Sequence, residues 1–250
     1  MKIIALANQK GGTAKTTSAV NIGAGLAKLG KKVLLIDLDP QAHLTYSLGI
    51  QAHEIDHTIY NLLKGETRLP EVLKERGELK VIPANLNLSG AEIELSGLAG
   101  REFLLREALE GLTGFDYVFI DCPPSLSLLT LNALTTAQEI YIPLQTEFLA
   151  LQGMSKLLQT VEVVQKRLNK GLKITGIIAT RYDARKKLNK EVVEKIKEYF
   201  GDQQLFKSMI RDNVSLAEAP SFGQTIFEYK PDSNGAMDYF SLCKEILERS

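Results

Sequence analysis

Short, nearly continuous apolar runs alternate along the chain with longer stretches whose apolar positions recur three or four residues apart. The short runs predict strands at 2–7, 32–37, 79–83, 116–121, 138–144, 173–180 and 205–210. The longer stretches predict helices at 16–29, 58–64, 99–111, 149–168, 187–200 and 233–248. Runs such as Val33-Leu34-Leu35-Ile36 and Tyr117-Val118-Phe119-Ile120 have no polar alternation, as expected of strands buried on both faces. Strands and helices in alternation imply an α/β fold: a mostly parallel twisted sheet, helices on both faces, right-handed crossovers. No repeat, low-complexity tract or Pro/Gly/Ser linker interrupts the pattern, so residues 1–250 are expected to form a single domain. The least regular stretches are Gly49 to Gly65 and Asn85 to Gly100.

Composition narrows the class without naming a function. Hydrophobic residues make up 44% and charged residues 24% of 250 positions, the balance of an ordinary soluble globular protein with one substantial core. No apolar run approaches the roughly 18 residues of a membrane span. The first strand begins at once, which leaves no room for a signal peptide. Cys122 and Cys243 stand far apart with no C-x-x-C, so a reducing compartment is expected and a metal cluster is not. His43, His53 and His57 lack the cysteines or acids that would complete a zinc site and are expected on surface loops.

The chemistry concentrates at the ends of three predicted strands. After Ile3-Ile4-Ala5-Leu6-Ala7 comes Asn8-Gln9-Lys10-Gly11-Gly12-Thr13-Ala14-Lys15-Thr16-Thr17, then a helix. A glycine-bearing loop that enters a helix N-terminus gathers backbone N–H groups and positive partial charge around an anion. Residues Gly11 to Thr17 therefore read as a nucleoside triphosphate loop, with Lys15 reaching the outer phosphates and Thr16 placed to hold Mg²⁺. The pattern G-x-x-x-x-G-K-[ST] would require glycine at positions 9 and 14, where this chain has Gln9 and Ala14. If position 14 needs a positive φ, alanine costs about 1–2 kcal/mol there relative to glycine. The second strand ends in Asp37 and Asp39, the fourth in Asp121. Ligands bind at the carboxyl ends of strands in open α/β sheets, so all three segments should meet in one crevice. Asp121 suits a magnesium-holding acid, because a hard cation prefers oxygen; Asp37 is a Mg²⁺-proximal candidate.

Lys10 before two glycines gives the loop its character. The segment resembles the deviant Walker A motif, K-G-G-x-G-K-[ST], of the ParA/MinD superfamily of P-loop ATPases. The likeness extends through Lys32 to Gln41, Val81 to Leu95, Asp121 to Ala133, Ile142 to Gly153 and Leu216 to Gly223, all similar to the ParA/Soj partitioning ATPases. That resemblance implies ATP and Mg²⁺ as ligands, weak intrinsic ATP hydrolysis, a homodimer in the ATP state with two sandwiched nucleotides, and a ParB-type stimulating partner. It assigns Lys10 to the phosphates of the partner subunit's ATP and Asp39 to positioning the attacking water. It also implies that Ile210-Arg211-Asp212-Asn213-Val214 stands where the family has I-P-R-N-V at the adenine. Asn213 keeps the amide; Arg211 and Asp212 depart from the pattern.

The same resemblance implies sequence-independent DNA binding and a cytoplasmic, nucleoid-associated protein. Formal net charge is zero, so any DNA footprint must be local. Residues 181–200 carry seven positive and four negative side chains, concentrated at the front of a helix, with Arg185, Lys186 and Lys187 as the DNA candidates. A solvated helix face with i,i+4 pairs is the competing reading. Ser215 stands where relatives often carry a DNA-contacting arginine. Other functions demand features this chain lacks or shares only in part. A MinD-like membrane regulator would need a basic amphipathic C-terminal helix, whereas Tyr239 to Ser250 is of mixed charge, and no membrane partner is expected. An iron–sulfur reductase would need cluster cysteines. A small-molecule synthase of the dethiobiotin type shares the phosphate loop, and a ParA-like ATPase for a non-DNA cargo would share the whole cycle.

Overall fold

The computed structural model describes residues 1–147 and 152–249. Among these, strands β1 (Lys2–Leu6), β2 (Val33–Asp37), β3 (Lys74–Arg76), β4 (Leu79–Ile82), β5 (Tyr117–Asp121), β6 (Glu139–Gln145) and β7 (Lys173–Thr180) form one sheet in the order β3-β4-β2-β5-β1-β6-β7. Every pairing is parallel except that of β3 with β4. The helices are α1 (Lys15–Lys28), α2 (His43–Ser47), α3 (Ile59–Leu63), α4 (Leu69–Val72), α5 (Leu88–Glu94), α6 (Leu104–Ala108), α7 (Leu128–Thr136), α8 (Ser155–Arg167), α9 (Lys187–Phe200), α10 (Val214–Glu218), α11 (Ile226–Tyr229) and α12 (Asn234–Glu248).

Successive strand residues point to opposite faces, and two cores result. Ala5, Leu34, Ile36, Val118 and Ile120 pack under α3 and α5 to α9. Ile4, Leu6, Leu35 and Phe119 pack under α1 and α12. Burial of a large apolar side chain contributes about 1.5–3 kcal/mol, so the near-continuous apolar strands are what anchor both helical layers. On α12 the inward positions Tyr239, Leu242, Cys243 and Ile246 are all buried, and its apolar stripe is spent on the core rather than offered to a membrane. No helix among the described residues is long and apolar enough to cross a membrane.

Several elements differ from the sequence expectation, each for a local reason. The strand expected at 205–210 is a broken one: Phe206 donates to the Ile177 carbonyl and Ile210 to that of Ala179, but only isolated bridges form. Between them, the N–H groups of Lys207 and Ser208 donate to the Glu245 carboxylate of α12, at 2.8 and 2.9 Å, and so leave the sheet. Strand β3 was not expected, because Lys74-Glu75-Arg76 carries no apolar pattern. Arg76 fastens that edge: Nε donates to the Leu48 carbonyl, Nη2 to that of Gly223, and the guanidinium pairs with Glu228. The contact brings residue 223, at φ 63°, so close to Gly49 that an added Cβ would lie 2.6 Å from the Gly49 Cα. Helix α7 was also missed, since Leu128-Leu129-Thr130-Leu131 has no polar stripe to reveal a helical period. The helix expected at 99–111 is shorter, a 3₁₀ turn at Arg101–Phe103 followed by α6. Of the helix expected at 149–168, residues 149–151 lie outside the described residues, Gln152–Met154 form a 3₁₀ turn, and α8 covers Ser155–Arg167.

Candidate nucleotide site

Strand register assembles the site. Asp121 at the end of β5 stands between Leu6 of β1 and Asp37 of β2, so the loop after β1 and the acids of β2 and β5 share one edge of the sheet. A cleft of about 830 Å³ opens there, lined by Gly11, Gly12, Lys15 and Thr16 of the loop, by Asp39 beyond β2 and by Asn213 beside the end of β7. The three predicted segments therefore do converge.

The loop is held from behind by β6 and β7. Gln145 Nε2 donates to the Gly12 carbonyl at 2.6 Å, Thr180 Oγ1 donates to that of Thr13 at 3.2 Å, and Asn8 Nδ2 donates to that of Pro143 at 2.7 Å. Thr13, a bland variation in sequence, is buried in this framework. Gln145 and Thr180 were not singled out, although each ends a parallel strand, which is where such groups are to be sought. Gly12 and Ala14 adopt left-handed backbone, φ 75° and 71°, and Ala14 is the N-cap of α1. No side chain caps that helix and no acid occupies its first turn. Its free N–H groups face the cleft, an anion site by construction.

The charges fit a magnesium–phosphate group. Lys15 is only 7% exposed and pairs with no carboxylate among the described residues. A buried ammonium is costly unless a counter-anion reaches it. Asp121 is fully buried; its Oδ2 accepts from Thr16 Oγ1 at 2.6 Å, while its Oδ1 is buried without a partner among the described residues. Burial, and next the neighbouring charge of Asp37, push the Asp121 carboxyl well above the ordinary carboxylate range. An acceptor orphaned beside a hydroxyl oxygen suits a hard divalent cation, so Thr16 and Asp121 are the residues that would hold Mg²⁺. Asp37 is differently placed. Its Oδ2 accepts from both the backbone and hydroxyl of Thr45, at 2.9 and 2.7 Å, and its Oδ1 accepts from the Asp39 N–H at 3.2 Å. Those three donors make it a brace that ties α2 and Asp39 to the sheet. Asp39 Oδ1 in turn accepts from the Gln41 N–H at 2.9 Å, which fixes its carboxylate at the cleft wall.

Lys10 is not part of its own cleft. Its Nζ lies 3.2 Å from Gln145 Oε1 and 3.1 Å from Glu147 Oε2, on a half-exposed surface beside Gln9 and Lys156. Glu147 also lies 3.7 Å from Arg181, a residue at φ 53° that bonds onward to Asp212 at 3.5 Å. Arg185, Lys186 and Lys187 are exposed where α9 begins, but Arg185 is chelated by Asp183 and Lys187 pairs with Glu191. Ser215 is buried and offers no surface to a phosphate.

Two predictions follow from this geometry. Burial raises the Asp37 carboxyl from 3.8 to about 6, and the Thr45 and Asp39 donors only partly offset it. Between those values the native carboxyl keeps a proton the unfolded chain has released. Its contribution to stability is thus full below about pH 4 and lost as pH rises through about 6, worth up to about 3 kcal/mol. Nucleotide-free Asp37→Asn should lose this component, so that in denaturant unfolding the variant gains on wild type by up to about 3 kcal/mol as pH rises from about 4 to above 6; a difference that does not change with pH would contradict it. For Ala14, the left-handed strain is present before any ligand binds. Ala14→Gly should therefore raise stability by on the order of 1 kcal/mol, about 2–4 °C in a melt, with ATP affinity nearly unchanged. An unaltered melt would mean that the loop carries no such strain.

Comparison with known proteins agrees with the geometry. A family model described as AAA domain matches residues 1–174. The sporulation initiation inhibitor protein Soj of Bacillus subtilis is 48% identical over 248 residues, 98% of each chain. The chromosome partitioning protein ParA of Caulobacter vibrioides is 43% identical over 254 residues, covering all of this chain and 95% of that one. Among solved structures, the cobyrinic acid a,c-diamide synthase of Mycobacterium smegmatis with a bound ATP analogue and magnesium superposes with a TM-score of 0.88 at 37% identity, over all of this chain and 95% of that one. An uncapped helix N-terminus, a buried unpaired lysine and an orphaned aspartate oxygen at the strand ends thus coincide with near-full-length similarity, and the chain belongs to the ParA/Soj family of Mg²⁺-dependent P-loop ATPases.

Proposed function

We propose that this ATPase is a dimerising switch that binds DNA without sequence preference and, with a ParB-type partner stimulating hydrolysis, segregates or positions chromosome or plasmid DNA in the cytoplasm, on the nucleoid. The observation that carries the reading is the position of Lys10: the residue that marks the deviant loop lies outside its own cleft, held by an exposed pair with Glu147 that a second subunit's phosphates can displace. Phosphoryl transfer is catalysed mainly by positioning and by neutralising charge around the γ-phosphate. Lys15 and the α1 N-terminus neutralise part of that charge from within the chain. Mg²⁺ bound at Thr16 and Asp121 would neutralise more of it. Asp39 orients the attacking water, and Lys10 of the partner subunit completes the charge balance. ATP then belongs to the dimer interface, and loss of the γ-phosphate removes the contacts that hold the two chains together. A switch requires such a difference in interaction between its two states.

Relatives named as chromosome partitioning proteins support DNA as the surface gripped in the ATP state. So does the basic start of α9, because the cationic heads of Arg185 and Lys187 are exposed and the Lys187–Glu191 pair, exposed on both sides, costs little to exchange for DNA phosphates. Consumption of the α12 apolar face in the core argues against the membrane alternative. Co-sedimentation with DNA in ATP, ADP and no nucleotide, over a salt series, tests the proposal. Binding should require ATP and weaken with salt. DNA binding indifferent to nucleotide, or liposome binding in its place, would overturn it.

A further inference from the structure

The loop at 210–213 departs from its family at Arg211, and the structure gives that departure a task. Ile210 is anchored to the end of β7, donating to the Ala179 carbonyl at 2.8 Å and accepting from the Tyr182 N–H at 3.0 Å. Beyond it the chain leaves the sheet and reaches Asn213, the extended N-cap of α10. Across this gap the principal tether is one carboxylate, Asp238 of α12. The Arg211 N–H donates to Asp238 Oδ2 at 2.9 Å, Nε donates to both oxygens at 3.1 and 3.0 Å, and Nη2 donates to Oδ1 at 2.6 Å. The bonds join two ionised groups and are charge-assisted; the Asp238 side chain is only 10% exposed, whereas that of Arg211 is 45% exposed. A flanking pair, Arg181–Asp212 at 3.5 Å, is exposed and weaker.

Helix α12 carries the other end of the connection. Tyr239, the next residue, places its hydroxyl 3.0 Å from Ser18 Oγ in the first turn of α1, whose N-terminus forms the phosphate site. One helix thus holds the phosphate helix and the 210–213 loop against a common frame. Within that loop, Asn213 lines the cleft and its Oδ1 is buried with no partner among the described residues. An orphaned acceptor requires a donor. The exocyclic amine of adenine is one, whereas guanine presents a carbonyl at the same ring position.

We propose that the Arg211–Asp238 pair is a positioning element for base selection: it fixes the loop relative to the phosphate site so that the Asn213 carbonyl oxygen meets an amine on the base. The inference rests on the reading that residues 210–213 border the base, and it is independent of whether DNA is the surface gripped. Asp238 lies outside the cleft lining, and the Arg211 guanidinium at the cleft edge is turned onto it, so both partners act through Asn213. Loss of the pair frees the loop, so discrimination between bases falls while the phosphate site stays intact.

Displacement of a fluorescent ATP analogue from the full-length protein, without DNA, tests this with three competitors: ATP, GTP and inorganic tripolyphosphate. Wild type should prefer ATP to GTP. Arg211→Ala and Asp238→Ala should each lower that preference about tenfold or more, with tripolyphosphate displacement unchanged. Arg211→Lys should keep part of the preference, and the exchanged pair Arg211→Asp with Asp238→Arg should restore more of it than either single charge reversal. An ATP-over-GTP preference untouched in both alanine variants would overturn the positioning role. Equal weakening of ATP and tripolyphosphate would also overturn it, because the defect would then be one of general folding. Equal binding of ATP and GTP by wild type would instead remove the base-site reading on which the inference stands.

Discussion

Two aspartates buried side by side at the ends of adjacent parallel strands are the constraint on which the rest of this structure depends. Asp37 and Asp121 are paired in register, both fully buried, and burial raises the carboxyl of each. Such an arrangement costs stability in the empty protein, and it persists only because surrounding elements over-determine it. Asp37 is satisfied by Thr45 and the Asp39 backbone; Asp121 is left with an open oxygen, near a buried Lys15 that makes no close ion pair among the described residues. The sheet thereby stores an unmet demand for one cation and one polyanion at the same spot. Mg²⁺ with a nucleotide triphosphate meets both demands.

The parts of the site carried by chain order were legible in the sequence. Apolar strands that end in acid, and a glycine loop that enters a helix, fix which residues meet, because parallel strands deliver their carboxyl ends to one edge. Lys15, Thr16 and Asp39 accordingly line one cleft, with Asp121 buried against Thr16. Residues whose roles depend on a partner distant in sequence were not legible. Arg76 on a polar edge strand, Gln145 behind the loop, and Asp238 facing Arg211 each act through a contact that no local pattern announces. The broken strand at 205–210 failed for the same reason: its apolar pattern is genuine, but the Glu245 carboxylate takes the two N–H groups that would have continued the ladder. Asp37 shows the intermediate case, a correctly located acid whose three donors make it a brace rather than an open ligand.

The two lysines of the loop lie in different surroundings. Lys15 is enclosed and waits for an anion; Lys10 lies on the surface against Gln145 and Glu147. If both served the same nucleotide in the same chain, the second would have no reason to lie outside the cleft. The central claim is therefore that the ATP site is completed by a second copy of the chain, and the most direct measurement is sedimentation velocity of wild type and Lys10→Ala with ATP and with ADP. Wild type should shift from monomer to dimer with ATP alone, while the folded variant binds ATP and stays monomeric. A variant that dimerises and hydrolyses ATP as wild type does would contradict the account.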